Sequence, residues 1–411
     1  MMHTTRHEKD SAARRLNESG FSLVEMIVVM AIFVIVIMIT GRAFDAIVSR
    51  SASEVKSAES EIEGIVGLEI LRRDLVQAGY GLPWDVGTIS YQEVKSSIIV
   101  TDIDPADFND AQSSAPHHAP RAIQIGSNAG FSDSDYLVVK STITGMSGTS
   151  KKWYTATFDH ISSSQMATND RLIVLRTTFE QGAMKSRQLV SESASVFSVR
   201  YPLFSEDFRP RQIMETYNVY GVAPVDDTTA TSLLRMPFNR SDYYIKRPAD
   251  SKAVPEACAK PENPADVSKG VGILYRSTAS QKPSGTGEFA VAQPLLDCVA
   301  DMQVVLALDT DGDGVIDSHS DTHPVPLGAP TATNLAQTIR NQVREVRVYI
   351  LAQDGRKVPG FTYPHQEILV GEVINGITYG KLFDLDSMNI KDSRNYRWRV
   401  YSFTAQTANL N

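Results

Sequence analysis

The apolar run that follows residue 20 constrains this chain more than any other feature. Residues 1–20 are polar, with Arg6, Lys9, Arg14 and Arg15 set against Glu8, Asp10 and Glu18. From Met26 to Ile39 every residue is then apolar. With Phe21 to Val24 included, the stretch covers about 20 positions, and a helix of that length rises about 30 Å, enough to cross a bilayer core. The expectation is a membrane segment near the N-terminus.

A cleaved secretory signal and a plain signal anchor both produce such a run. The first needs a small-residue cleavage site behind it, and Thr40-Gly41-Arg42-Ala43-Phe44 offers no A-x-A-like site. Neither accounts for Glu25. A charge costs about 2.5–3.5 kcal/mol at a helix centre by insertion scales, and less near an end, where it still demands a partner. Gly20-Phe21-Ser22-Leu23-Val24-Glu25, with its basic leader and apolar stretch, resembles the type IV prepilin cleavage motif, G-F-x-x-x-E. The resemblance implies that a prepilin peptidase cuts between Gly20 and Phe21 on the cytoplasmic side. It implies N-methylation of Phe21, and pairing of Glu25 with the N-terminal ammonium of a neighbouring subunit. A buried carboxylate is tolerable only when paired and hydrogen-bonded, so that role is physically coherent. Loss of the leader removes four basic and three acidic residues, leaving 36 Lys+Arg against 45 Asp+Glu. The acidity therefore belongs to the exported body.

Between Phe21 and Leu82 there is no proline, so nothing forces the helix to stop at the membrane surface. Phe44, Val48, Ser51, Val55, Ala58, Ile62 and Ile65 recur at alternating fours and threes, an amphipathic continuation with one face free to pack on a domain or on other subunits. Gly64 and Gly67 suggest a local kink, and Gly79-Tyr80-Gly81-Leu82-Pro83 a stop. Beyond Pro83 the pattern switches to short segments rich in Val, Ile, Tyr and Thr. The expected strands are 97–102, 121–125, 136–141, 153–158, 172–177, 195–201, 217–222, 271–276, 343–351, 379–384 and 398–404. Residues 104–120 and 248–269 read as proline-bearing loops. The fold class is α+β: a leader (1–20), a transmembrane and spine helix (21–82), and a β-rich head (83–411) with a candidate subdivision near 248–270.

Asp309-Thr310-Asp311-Gly312-Asp313-Gly314-Val315-Ile316-Asp317 is the sharpest motif downstream. Alternating carboxylates on a tight loop converge on one point, and hard Ca²⁺ takes six to eight oxygen ligands. The candidate ligands are Asp309, Asp311, Asp313, the Val315 carbonyl and Asp317. An EF-hand would place a bidentate Glu at the twelfth position, which here is Ser320 with Asp321 beside it. That departure, and the strand-like 302–308 before the loop, point to a calcium loop between strands; the plainer reading is a solvated acidic turn. Cys258 and Cys298, the only two cysteines, read as a disulfide in an exported domain and as two buried thiols in a cytosolic one. Closing a loop of this size stabilises by about 4 kcal/mol in the chain-entropy model.

Recognisable catalytic motifs are missing: there is no H-E-x-x-H, G-x-S-x-G, G-x-x-x-x-G-K-[ST] or strand-linked G-x-G-x-x-G. His319 and His323 could form a metal pair on a helix, although Pro324 and the loop context favour solvated residues, and His117-His118 reads as a surface loop. A formal charge of −8 argues against nucleic-acid binding, which needs a basic stripe. An enzyme is not expected.

Three further stretches resemble the PilW family of minor type IV pilins: Leu71 to Gly81; Leu295 to Leu306 running into the acidic loop; and Arg344 to Gly355 with Tyr396 to Tyr401. The resemblance implies a non-catalytic subunit of a tip complex that primes pilus polymerisation. Its partners would be the prepilin peptidase, other minor and major pilins, the assembly platform, a large tip adhesin and the inner membrane. The head would lie in the periplasm, and outside the cell after assembly. The alternatives are a large pseudopilin of type II secretion, a membrane-anchored calcium-dependent adhesin module and an anchored hydrolase.

Overall fold

In a computed structural model of the protein, the described residues are 22–95, 103–110, 119–145, 147–168, 170–180, 183–202, 205–224, 234–263, 265–281, 289–322, 332–358 and 360–410. Gly20, Phe21, the expected strand 97–102, His117, His118 and His323 lie outside them. The chain divides into two compact units, Met1–Val55 and Lys56–Asn411.

The first helix, α1, spans Leu23–Val76. Its part from Leu23 to Phe44 is long and apolar enough to cross a membrane, and none of its apolar side chains is buried within the protein. The last turns of α1 belong to the second unit and look entirely different. Gly64, Gly67, Leu68, Leu71, Asp74 and Leu75 are buried there, while Ile65 and Val66 are 56% and 58% exposed. Ile65, the last residue of the predicted stripe, thus faces away from the core.

The strands follow in chain order as β1 (Ile123–Gly126), β2 (Tyr136–Ser141), β3 (Trp153–Thr157), β4 (Asp170–Glu180), β5 (Ala183–Leu189), β6 (Val199–Arg200), β7 (Thr216–Pro224), β8 (Asn239–Lys246), β9 (Gly272–Ala279), β10 (Phe289–Leu308) and β11 (Ser318–Ser320). A helix α2 (Ala332–Gln342) precedes β12 (Val343–Asp354), β13 (Glu367–Ile374), β14 (Ile377–Asp384) and β15 (Arg397–Gln406). Among the described residues, the larger sheet has the order β1-β2-β8-β9-β10-β12-β15, with β11 also on β10, and every pair is antiparallel. A smaller sheet runs β3-β7-β4-β5 with β6 on β4, and β13–β14 is a separate hairpin. The result is a long helix with a β-rich α+β head.

Among the described residues, three hydrophobic clusters organise the head. The largest gathers Leu68, Leu71 and Leu75 of α1 against Tyr243, Leu274, Leu295, Leu296 and Val304 of the large sheet. A second surrounds the Cys258–Cys298 bridge with Val271, Leu351, Phe383 and Trp398. The third lies within the small sheet, where Tyr154, Leu172, Val174 and Val219 meet Phe208.

Sequence periodicity found the strongly alternating or apolar strands and passed over β5, β8, β11, β13 and α2. β8 reads Asn-Arg-Ser-Asp-Tyr-Tyr-Ile-Lys, too polar to announce a buried central strand, yet all but its last residue are buried. β10 begins well before its apolar end because register shifts between Leu296 and Val299 and between Val299 and Asp301, with a positive φ at Cys298, interrupt its periodicity. The expected strand 195–201 contracts to β6.

Gly64 and Gly67 do not break α1. A Cβ on Gly67 would sit 2.0 Å from the Leu295 carbonyl oxygen, and one on Gly64 would sit 2.6 Å from Leu296 Cδ1. They are glycines because the helix backbone lies directly on β10. Gly67→Ala should therefore destabilise the head by about 1–3 kcal/mol, since backbone cannot yield as a side chain does. Chemical denaturation of the full chain in detergent, followed by tryptophan fluorescence, measures this; a loss below 0.5 kcal/mol, roughly the change expected at an unconstrained surface site, would contradict the close approach.

Candidate functional site

The residue that fastens α1 to the sheet is Asp74. Its Oδ2 accepts hydrogen bonds from Tyr243 OH (2.6 Å) on β8, Arg276 Nε (2.8 Å) on β9 and Thr144 Oγ1 (2.9 Å). Arg276 Nη2 completes the ion pair at 2.7 Å and also donates to the Thr144 carbonyl. Burial pushes the Tyr243 hydroxyl well above its usual range, and the Asp74 carboxylate pushes it further, so Tyr243 remains a donor. The neighbouring Arg72 instead pairs with Glu69 on the exposed side of the helix. The sequence signal for Asp74 was its place three residues after Leu71 and one before Leu75, an acidic residue on the buried face.

A second buried charge cluster holds the other edge of the sheet. Lys140 on β2 contacts Glu93 (2.7 Å) and Asp110 (2.5 Å), all fully buried. Arg240 on β8 pairs with Asp242 at 2.7 Å and reaches Glu93 at 3.3 Å. Burial alone would raise the Asp110 carboxyl, but Lys140 and Arg121 outweigh it and hold it below the ordinary value. These polar strand residues are structural, which is why they carried no motif.

At the N-terminal end of α1, Ser22 and Glu25 form a reciprocal cap. Ser22 N donates to Glu25 Oε2 (2.9 Å) and Glu25 N donates to Ser22 Oγ (3.2 Å). This is the S-x-x-E capping box, legible in the sequence but not part of the prepilin reading. Glu25 itself is exposed.

The acidic loop connects β10 to β11, whose short ladder pairs Leu308 with Ser318 and Leu306 with Ser320. Asp309 is buried at its base. Its Oδ1 accepts from Gly312 N (2.7 Å), and its Oδ2 from Gly314 N (3.0 Å) and Arg344 Nη2 (2.7 Å). The Arg344 hydrogen bond holds the Asp309 carboxyl below its usual range. Gly312 and Gly314 have φ of 82° and 91°, which is why glycine occupies both positions. Asp311, Asp313 and Asp317 accept from Asp313 N, Val315 N and Thr310.

Asp309, Asp311 and Asp317 each bring an oxygen within 4.8 Å of the others, a group that can hold a cation. Asp313 is not in that group; its carboxylate turns back on the Val315 amide. Val315 has its side chain in solvent. Ser320 bonds within its own turn, to Thr322. His319 lies on strand β11 beside Tyr379, not on a helix.

Cys258 and Cys298 form a disulfide. It ties the 248–269 loop to β10, and Gln353 on β12 reinforces that link by accepting from Ala259 N and donating to the Ala257 carbonyl.

Residues 263–409 match the family model described as type IV pilus-assembly protein W, and residues 15–41 that described as the prokaryotic N-terminal methylation motif. The chain is a minor-pilin-like structural protein. The PilW match covers β9 to β15, and with them Arg276, Cys298, the acidic loop and its Arg344 anchor. The methylation motif covers Gly20 to Glu25 and nearly all of the candidate membrane span. β1 to β8, including the small sheet, fall outside both matches. No curated protein and no solved structure matches the chain. The methylation motif and the one apolar span among the described residues give this pilin-like protein a single-pass inner-membrane topology.

Removing the Asp74 charge strands the Arg276 guanidinium in the core. Asp74→Ala should cost about 3–5 kcal/mol, as breaking a buried ion pair does, whereas Arg72→Ala, on the exposed and solvent-screened side, should leave stability close to wild type. Urea denaturation of the two variants checks the contrast, and equal effects would refute the seam.

Proposed function

We propose that this protein is a minor type IV pilin that helps initiate pilus assembly and sits in a tip complex. The observation that carries the reading is the presence, in one chain, of the methylation motif at 15–41 and the PilW match at 263–409. The helix between them supports it. A helix that is apolar all round and unburied by its own chain needs lipid or apolar neighbours. Lipid serves before assembly, and the corresponding helices of other subunits serve within a filament. Ile65 and Val66 of the second unit are likewise exposed and apolar.

In this reading the prepilin peptidase cuts between Gly20 and Phe21, and Phe21 is N-methylated. Glu25 then meets the ammonium of a neighbouring subunit through Oε1, its Oε2 capping the helix at Ser22. Other minor and major pilins, the assembly platform and a large tip adhesin complete the partners. The pilus is preferred to a secretion pseudopilus because the matched C-terminal family is a pilus-assembly one. Substituting Gly20 should leave an unprocessed product about 20 residues larger and remove the protein from sheared surface filaments, both read by immunoblot. An unchanged product size would sink the pilin reading, and normal processing without filament incorporation would sink the tip assignment.

The cation of the acidic loop is assigned as Ca²⁺, because its ligands are hard carboxylate oxygens on a short exposed loop. Asp309, Asp311 and Asp317 supply the carboxylates, and the Val315 carbonyl and solvent the remaining oxygens. Calorimetry on the full chain should show Ca²⁺ binding with a Kd of about 10⁻⁴–10⁻³ M, the range of extracellular modules. Asp311→Asn, which leaves the Arg344–Asp309 anchor intact, should weaken it by roughly tenfold, the loss of one ligand charge. Absence of binding in wild type would overturn the assignment.

A further inference from the structure

The large sheet ends on a long strand with an open side. β15 has 10 residues, holds no proline or glycine, and pairs with β12 without a register shift from Arg397 to Gln406. Among the described residues no strand lies on its other side. Sheets blunt their edges with short strands, bulges, prolines or covering loops, because an open row of N–H and C=O groups is a template for another strand. The other edges of this head follow that rule. β1 has only 4 residues, and β3 is followed by a turn that pairs His160 back on Thr157. β5 is covered by Trp84 and Asp85, whose N–H groups both donate to the Arg187 carbonyl.

The register shows which groups of β15 are open. Just past the ladder, and in the same register, Thr407 N donates to the Arg344 carbonyl (3.1 Å). In an antiparallel pair, residues bonded to each other alternate with residues whose backbone groups point away. Arg399, Tyr401, Phe403 and Ala405 thus bond β12, while Val400, Ser402 and Thr404 turn their N–H and C=O groups to the free edge. Among the described residues, no backbone bond outside the ladders reaches those three. Apolar surface extends to the edge on both faces: Val400 packs partly buried on the cluster around the disulfide, and Tyr401 and Phe403 partly buried on the cluster beneath α1.

Charge narrows the choice of strand. Arg397 and Arg399 are exposed at one end of the edge, on one face, with their guanidiniums 5.8 Å from the Phe361 ring and 5.7 Å from the Tyr401 ring. The other end, Ser402 to Gln406, is uncharged. A second copy added in parallel would set arginine against arginine, which is unfavourable, and one added antiparallel would set both arginines against the uncharged end. A different chain with acidic side chains at this end gains attraction at both positions.

We propose that β15 is the acceptor edge for a strand of another protein. The donor is an extended segment about as long as β15, acidic beside Arg397 and Arg399 and apolar beside Tyr401 and Phe403. Backbone bonds to Val400, Ser402 and Thr404 supply affinity, and the side chains select the partner.

The probe is a fluorescein-labelled peptide of alternating Thr and Val with two Asp at one end, titrated with the full chain in detergent micelles and read by anisotropy. Wild type should bind it, and exchanging the two Asp for Lys should weaken binding severalfold, as cross-strand charge pairs do. Ser402→Pro removes an outward N–H and no bond to β12, so it should weaken binding by about tenfold or more while the urea midpoint stays near wild type. Of two peptides N-methylated on alternate residues, in opposite phase, one should lose binding and the other keep it. Equal binding by both methylated peptides, wild-type affinity in a folded Ser402→Pro, or no binding at about 1 mM peptide would each overturn the proposal. A wild-type dimer in analytical ultracentrifugation that Ser402→Pro abolishes would give the edge to a second copy and overturn the assignment to another chain. Should Ser402→Pro fail to fold, the methylated pair decides on the wild-type protein.

Discussion

The head depends on one carboxylate. Asp74 draws donors from β8, β9 and the Thr144 turn onto a single oxygen, and so sets the rotation of α1 on the large sheet. Apolar contacts through Leu68, Leu71 and Leu75 supply attraction but little orientation, because burial is not directional. A hydrogen-bonded buried ion pair tolerates only a narrow geometry. Gly67 sets the depth, letting the helix backbone meet the Leu295 carbonyl. Distance comes from the missing side chain and orientation from the charge.

The rest of the large sheet repeats this use of buried charge. Lys140 and Arg240 lie wholly inside, matched by Glu93, Asp110 and Asp242. Each is affordable only because partners from distant parts of the chain satisfy it together. At the far end of β10 the arrangement opens toward solvent. Asp309 is held by Arg344 and the loop amides, and Asp311 and Asp317 remain exposed beside it. A rigid buried base with exposed carboxylates above it suits a cation site better than an acidic turn with no anchor would.

Much of the architecture was legible before any coordinates. The apolar run with Glu25, the helix without proline, the β-rich body and the paired cysteines all leave marks in residue type and spacing. The Asp-Gly alternation marked the acidic loop, and of the four aspartates it counted the fold brings Asp309, Asp311 and Asp317 together. The Ser22–Glu25 cap was legible and was passed over in favour of a motif that uses the same glutamate. β8 was hidden because its polar residues serve a buried network, and periodicity reads such residues as solvent-facing.

Sequence alone determined that this chain has a membrane-spanning N-terminus, a pilin-like methylation motif and a β-rich head, since hydropathy, local motif and strand propensity act over a few residues. Tertiary structure alone decided which face of α1 is buried, why Gly64 and Gly67 are glycines, and which acids face water. It also paired Asp74 with Arg276. These outcomes depend on contacts between residues far apart in sequence, 202 positions for Asp74 and Arg276. A charge that will be buried and satisfied looks, in sequence, the same as one that will be solvated; only the partners brought by the fold distinguish them.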